Sequence, residues 1–189
     1  SIGNDYLDKV RSKLQQDLKI APEGVMVNAS HCHGIVCADV DDKTVEAVKL
    51  AAANMVPVSA GVGVGHETRV SENRRLLLKD GKEADVRHAY SMPADAEVAG
   101  VGPIDSQICI SRLDKKDGPP LAVVYNFVCH PIMGVPSGGY TVDIIGFASK
   151  VIVHHLVDCT RALFIQGCGG VIKPGLYKDV RRTRKAAPP

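Results

Sequence analysis

The sequence predicts an α/β fold: a layered, mixed β-sheet flanked by helices, with site loops at the carboxyl ends of its strands. Three observations predict it. Amphipathic helical stretches are interleaved with short apolar runs of strand length. The pair Asp117-Gly118 joins two such runs in the manner of a hairpin, while a helical stretch separates two others, which suits a sheet of mixed direction. Polar, small-residue loops follow the strand ends at Val27, Cys129 and Gln166, and the carboxyl ends of α/β strands are where ligands bind. The 189 residues suffice for one full-sized domain, expected over 1–189, with 181–189 as a basic tail.

In order along the chain, Tyr6, Leu7, Val10, Leu14 and Leu18 recur at helical spacing, and Asn4 or Asp5 can cap that helix. Pro22-Glu23-Gly24 breaks it, and Val25-Met26-Val27 reads as a short buried strand. Asp41 or Asp42 opens a second helix with Val45, Val48, Ala52 and Met55 on one face. Residues Val56 to Val64 alternate as a strand, followed by strand-like runs at Arg75–Lys79, Gln107–Leu113 and Leu121–Cys129. From Gly81 to Gly102 no periodicity is sustained, which predicts a long loop. A helix over Asp143–Leu156 then leads into a strand over Ala162–Gln166.

Composition narrows the function classes. Apolar types make up 45% of the chain, enough for a sizeable core. The net charge of +2 and the 4% aromatic content argue against nucleic acid as the main partner. No apolar run is long enough to span a bilayer, and no signal peptide opens the sequence. The six cysteines, at 32, 37, 109, 129, 159 and 168, form no CxxC pair and are expected as reduced, mostly buried thiols, which suggests a cytoplasmic setting. A homo-oligomer that covers exposed strand edges is a further expectation.

The histidines carry the first chemical signal. His31 and His33 form an H-x-H pair, whose imidazoles point the same way in an extended segment. His130 ends a separate apolar strand before Pro131. Two strand ends so equipped can frame a zinc site, or the same histidines can be polar groups hydrogen-bonded at loop starts. His66 and His88 lie in polar loops without diagnostic spacing, and His154-His155 sit side by side on a helix surface. Gly167-Cys168-Gly169-Gly170 can cradle an oxyanion through backbone N–H groups or be a tight turn only.

Taken together these segments resemble a known family. Val27-Asn28-Ala29-Ser30-His31-Cys32-His33-Gly34 resembles the N-A-S-H-T-H-S-G motif of the neutral/alkaline (non-lysosomal) ceramidases. Phe127-Val128-Cys129-His130-Pro131 is similar to that family's F-x-x-H-P motif, and Phe164 to Gly170 to its F-V-Q-G-N-A-G-D stretch. Glu72-Asn73-Arg74 falls where the family has an Asn-Arg pair. The resemblance covers only part of the family's larger catalytic domain and suggests a divergent, bacterial type. It implies a zinc amidohydrolase in which His31 and His130 bind metal, His33 contacts the reacting groups, and Arg74 stabilises developing charge. The family's further ligands, a Glu and a Tyr, lie downstream of the matched stretch. Lys173 stands where the family has its catalytic serine, and Val171 where it has an Asp.

The expected function is thus zinc-dependent hydrolysis of an amide (N-acyl) or ester bond in a small acyl substrate, a lipid among the candidates. Two alternatives stay open. One is a metal-independent, esterase-like hydrolase that uses the glycine loop as an oxyanion hole with Cys168 as nucleophile. The other is a non-catalytic fragment that keeps the fold with an incomplete site.

Overall fold

The computed structural model describes residues 3–31, 36–86, 93–132, 141–156 and 160–175. The chain divides into two compact units, residues 1–57 and 58–189.

The first unit is a helix pair. Helix α1 spans Asn4–Leu18 and α2 spans Val40–Ala53. Their buried residues Val10, Leu14 and Val45 form the core, with Tyr6, Leu18, Ile20, Val25 and Val48 packed around it. The polar faces are tied as well: the Tyr6 hydroxyl lies 2.7 Å from Thr44 Oγ1, and Lys13 pairs with Asp41 and Asp42. Helix α1 ends at Lys19, whose left-handed φ of 59° lets its N–H reach the Gln15 carbonyl. Asn4 and Asp5 lie within α1, which starts after Gly3 without a side-chain cap. Asp41 and Asp42 sit in the first turn of α2 after Asp39.

The expected strand at Val25–Val27 does not form. No strand is available to pair with it among the described residues of its unit; Arg11 instead donates to the Val25 carbonyl at 2.9 Å, and Met26 is 78% exposed. The helical face assigned to α2 also ends early, since Met55 lies past the helix in water.

The second unit is built on a four-stranded sheet. Its strands are β1 (Val58–His66), β6 (Gln107–Lys115), β7 (Pro120–Phe127) and β8 (Arg161–Gln166), in the order β1-β6-β7-β8. The first three run antiparallel, with the Asp117-Gly118 turn between β6 and β7. β7 and β8 are parallel, joined through α3 (Asp143–Leu156), so the sheet is mixed as the sequence predicts. Helix α3 is held on the sheet by Tyr125, whose hydroxyl donates to the Ile145 carbonyl at 2.9 Å and lies 2.9 Å from Ser149 Oγ. Tyr125 also packs its ring against Phe164 of β8, 5.3 Å between centroids.

Two smaller sheets complete this unit. β3 (Arg75–Leu78) pairs with β4 (Glu83–Asp85) and β5 (Val98–Val101), antiparallel on both sides. The stretch read as a long loop from Gly81 to Gly102 therefore carries two short strands; residues 87–92 lie outside the described residues. The other small sheet pairs β2 (Ser71–Asn73) with β9 (Ile172–Pro174). Each of these two strands has three residues, too few to show an alternating pattern in the sequence.

Candidate active site

Parallel pairing of β7 and β8 brings their carboxyl ends side by side. Phe127 is opposite Gln166 in the register, so the segments that follow, through His130 and through Gly170, start as neighbours. The Gly167 N–H donates back to the Phe127 carbonyl at 3.1 Å and locks the two exits together. A side chain at Gly167 would collide there, because a Cβ would stand 2.5 Å from Val128 Cγ2. The sequence therefore needs glycine at this exit for close backbone approach.

The turn that follows holds His130. Gly169 donates its N–H to the Gly167 carbonyl at 2.7 Å, and its own carbonyl accepts from the Ile172 N–H at 3.1 Å. The same Gly169 carbonyl lies 2.6 Å from His130 Nδ1. A carbonyl only accepts, so Nδ1 carries the hydrogen, and the neutral imidazole then presents its lone pair at Nε2. His130 is 8% exposed. Of the loop's N–H groups, that of Gly169 is engaged inside the turn and that of Gly167 on the end of β7, and the turn's work visible here is to fix a histidine tautomer. Cys168 is exposed beside them.

Strand β9 fastens this turn to the Asn-Arg pair. The Ile172 carbonyl accepts from the His130 N–H at 3.1 Å, and the Val171 carbonyl from the Arg74 N–H at 2.8 Å. Lys173, buried, is opposite Glu72 in the β2–β9 register. Arg74 is largely buried and its Nε lies 2.9 Å from Asp85 Oδ1 at the end of β4, an ion pair without hydrogen-bond geometry at Nε. Asn73 supports the same corner: its amide donates to the Pro103 carbonyl at 2.8 Å, and its Oδ1 accepts from the Arg75 N–H at 2.9 Å. The structure therefore brings together His130, Arg74 and the Gly167–Gly170 turn, which lie far apart in the sequence.

Two side chains not singled out for the site also belong to this neighbourhood. Ser71 donates to the Val128 carbonyl at 2.9 Å in a buried bond. Asp143 is buried at the start of α3, in a left-handed conformation with φ of 50°, and accepts the Ile144 N–H at 2.7 Å. Positive φ on a non-glycine residue costs energy that surrounding contacts must offset, and such residues collect at functional sites. The sequence signal for Asp143 was only its position ahead of a helix. Both groups act on Cys129: burial pushes its thiol up to about 11, the Asp143 charge adds to this, and the Ser71 hydroxyl opposes it.

Of the motif histidines, His31 is half-buried with a left-handed φ of 60°, and it belongs to the first unit. His33 lies outside the described residues, as do His88 and the basic tail at 181–189. Among the described residues, no group of three or more His, Cys, Asp and Glu side chains lies close enough to hold a metal. Among them also, no helix is long and apolar enough to cross a membrane.

An apolar groove of about 900 Å³ opens between α3 and the sheet. Ile108, Ile110, Val123 and Phe127 form its floor, Val151 belongs to its helical wall, and Cys129, the residue before His130, lines it too. No continuous sequence stretch advertises this groove, because its walls come from four separate elements.

Comparison with known proteins places the fold. No protein-family model matches the sequence, and no curated protein matches it. Among solved structures, the chain is similar to neutral ceramidase from Pseudomonas aeruginosa, at 19% identity and a TM-score of 0.63 over 89% of this chain. It is similar also to a ceramidase complexed with C2, at 20% identity and a TM-score of 0.63 over 90% of this chain. The chain covers 29% of the length of each of these proteins. Its fold is that of a ceramidase-like partial region.

Proposed function

We propose that this chain carries part of a hydrolase site of the neutral ceramidase kind, one that cleaves an amide or ester bond in an acyl substrate with the aid of zinc. The observation that carries this reading is His130, whose Nδ1 is held by the Gly169 carbonyl. Metal-binding histidines are held in this way, with the second ring nitrogen donating to a carbonyl or carboxylate. The donor chemistry of His130 thus fits zinc, with His31 entering as a ligand by its motif alone. Zinc, when bound, supplies Lewis acidity that polarises a carbonyl and lowers the pKa of a bound water.

The chain's own residues have separate tasks in this reading. His33 exchanges a proton with the reacting group or orients its carbonyl. Arg74, its backbone tied to the Val171 carbonyl and its side chain ion-paired with Asp85, offers positive charge to a developing oxyanion. The Gly167–Gly170 turn orients His130. The groove beside Cys129 suits an acyl chain, since its lining is almost wholly apolar and runs up to the residue before His130.

The test is elemental analysis of the purified chain together with hydrolysis of N-acyl amines and short esters. Zinc bound to the wild type and lost from His130→Ala, with turnover abolished by chelation, is the expected result. Zinc content that is unchanged in both His31→Ala and His130→Ala would overturn the metal assignment. Turnover that survives chelation and stops when Cys168 is alkylated would favour the metal-independent alternative. Long-chain acyl substrates are expected to bind more tightly than acetyl ones if the groove takes the chain.

A further inference from the structure

We propose that the outer edge of β1 pairs with the same strand of a second copy of this chain, joining two four-stranded sheets into one continuous sheet about a two-fold axis at Val62. Among the described residues β1 is the edge strand of its sheet, and it runs for nine residues without a register shift against β6. Edge strands in soluble proteins are usually blunted by a charge, a proline or a bulge, because an open edge pairs with other strands. Val58 to Gly65 contains no ionisable residue and no proline. Val62 is 89% exposed and Val64 63%, and positions for a Cβ on Gly61, Gly63 and Gly65 meet nothing within 4 Å.

The hydrogen-bond phase of the strand selects the pairing. The Glu67 N–H donates to the Ser106 carbonyl at 2.9 Å, which continues the β1–β6 register by one residue. In an antiparallel ladder the bonded pairs alternate. The odd-numbered residues of β1 therefore face β6, and Val58, Ala60, Val62, Val64 and His66 present their N–H and C=O groups outward. A two-fold axis at Val62 sets this outward series against itself: Val62 opposes Val62, Ala60 opposes Val64, and Val58 opposes His66. Every outward residue then meets an outward residue, so each of these pairs exchanges two backbone bonds. On the same face the exposed valines cover one another, and on the other face Gly61 opposes Gly63 without a clash. A homodimer through one self-complementary patch is the commonest closed assembly.

Sedimentation equilibrium of the whole chain at micromolar concentration tests the proposal, with a mass of two chains expected. Val62→Pro removes an N–H that faces away from β6, so the sheet is expected to persist by circular dichroism while the mass falls to one chain. Val62→Lys is the second variant, with the backbone donor intact and two like charges opposed at the axis; it too is expected as a monomer. Val62→Cys is expected to form a disulfide to its own symmetry mate under mild oxidation, because bonded antiparallel pairs stand about 5.5 Å apart at Cα. Peptide mapping identifies that 62–62 link against the native thiols. A monomeric wild type would overturn the proposal and leave this edge to a strand of another kind. A dimer that survives both Val62→Pro and Val62→Lys would overturn it also.

Discussion

Cys129 and His130 are adjacent in sequence, yet their surroundings set opposite chemistry. The imidazole is held in a donor geometry by the Gly169 carbonyl, while burial keeps the neighbouring thiol protonated. Alkylation with iodoacetamide at neutral pH is therefore expected to modify Cys37, Cys109 and Cys168, all exposed, and to spare Cys129 until the chain unfolds. Peptide mapping by mass spectrometry reads this directly, and early labelling of Cys129 would contradict its burial. The same thiol gives a pH dependence with a definite sign. Its folded pKa of about 11 lies above the ordinary 9.0, so the folded state holds the proton longer than the unfolded state does. The corresponding stability is complete below about pH 9 and is lost as pH rises through about 11. Cys129→Ala is expected to lack that part of the alkaline slope in denaturant titrations. His130 stood out in the sequence because it ends an apolar run ahead of a proline. Ser71 and Asp143 did not, since their burial comes from partners the local sequence does not contain. Cys109 was expected inside and is exposed, because β6 carries it on the sheet face opposite α3.

Elements differ in how much of their structure is local. Helices α1, α2 and α3 and the four long strands follow from periodicity, with α3 starting and stopping where its apolar spacing does. Strands β2 and β9 have no such signature and exist because each supplies the other's backbone partners. Val25–Val27 shows the converse, an apolar run with no strand to pair with among the described residues of its unit. The glycine turn after β8 makes a graded prediction. Gly167→Ala would place a Cβ against Val128 and the Phe127 carbonyl, and is expected to cost about 1–3 kcal/mol in thermal or urea unfolding. At Gly170 nothing stands within 4 Å, so Gly170→Ala is expected to leave stability nearly unchanged. Equal costs at the two positions would contradict the close approach at β7. On the sheet face, Tyr125→Phe removes the hydroxyl that ties α3 to β7 and is expected to cost about 0.5–1.5 kcal/mol with no change in secondary structure.

The whole chain reads as a helix pair and a layered sheet unit, where the length alone suggested one domain. Each unit has its own core, so damage is expected to stay local. Leu14→Ala, at a 2% exposed position, is expected to cost about 2–5 kcal/mol. Hydrogen exchange should then rise within residues 1–57, with protection in β6, β7 and β8 retained; a uniform loss of protection would show instead that the units unfold together. Length also bears on the joint at β9. Ser71 pairs with Pro174 roughly a hundred residues away, and closing so large a loop carries an entropic cost that local contacts do not share. The helices and the β6–β7 hairpin close on local contacts, whereas the turn that orients His130 waits for β9 to reach β2. High contact order slows folding, so the His130 corner is expected to appear last and slowly, after the apolar faces have already formed. Until then the chain has its scaffold without an oriented His130.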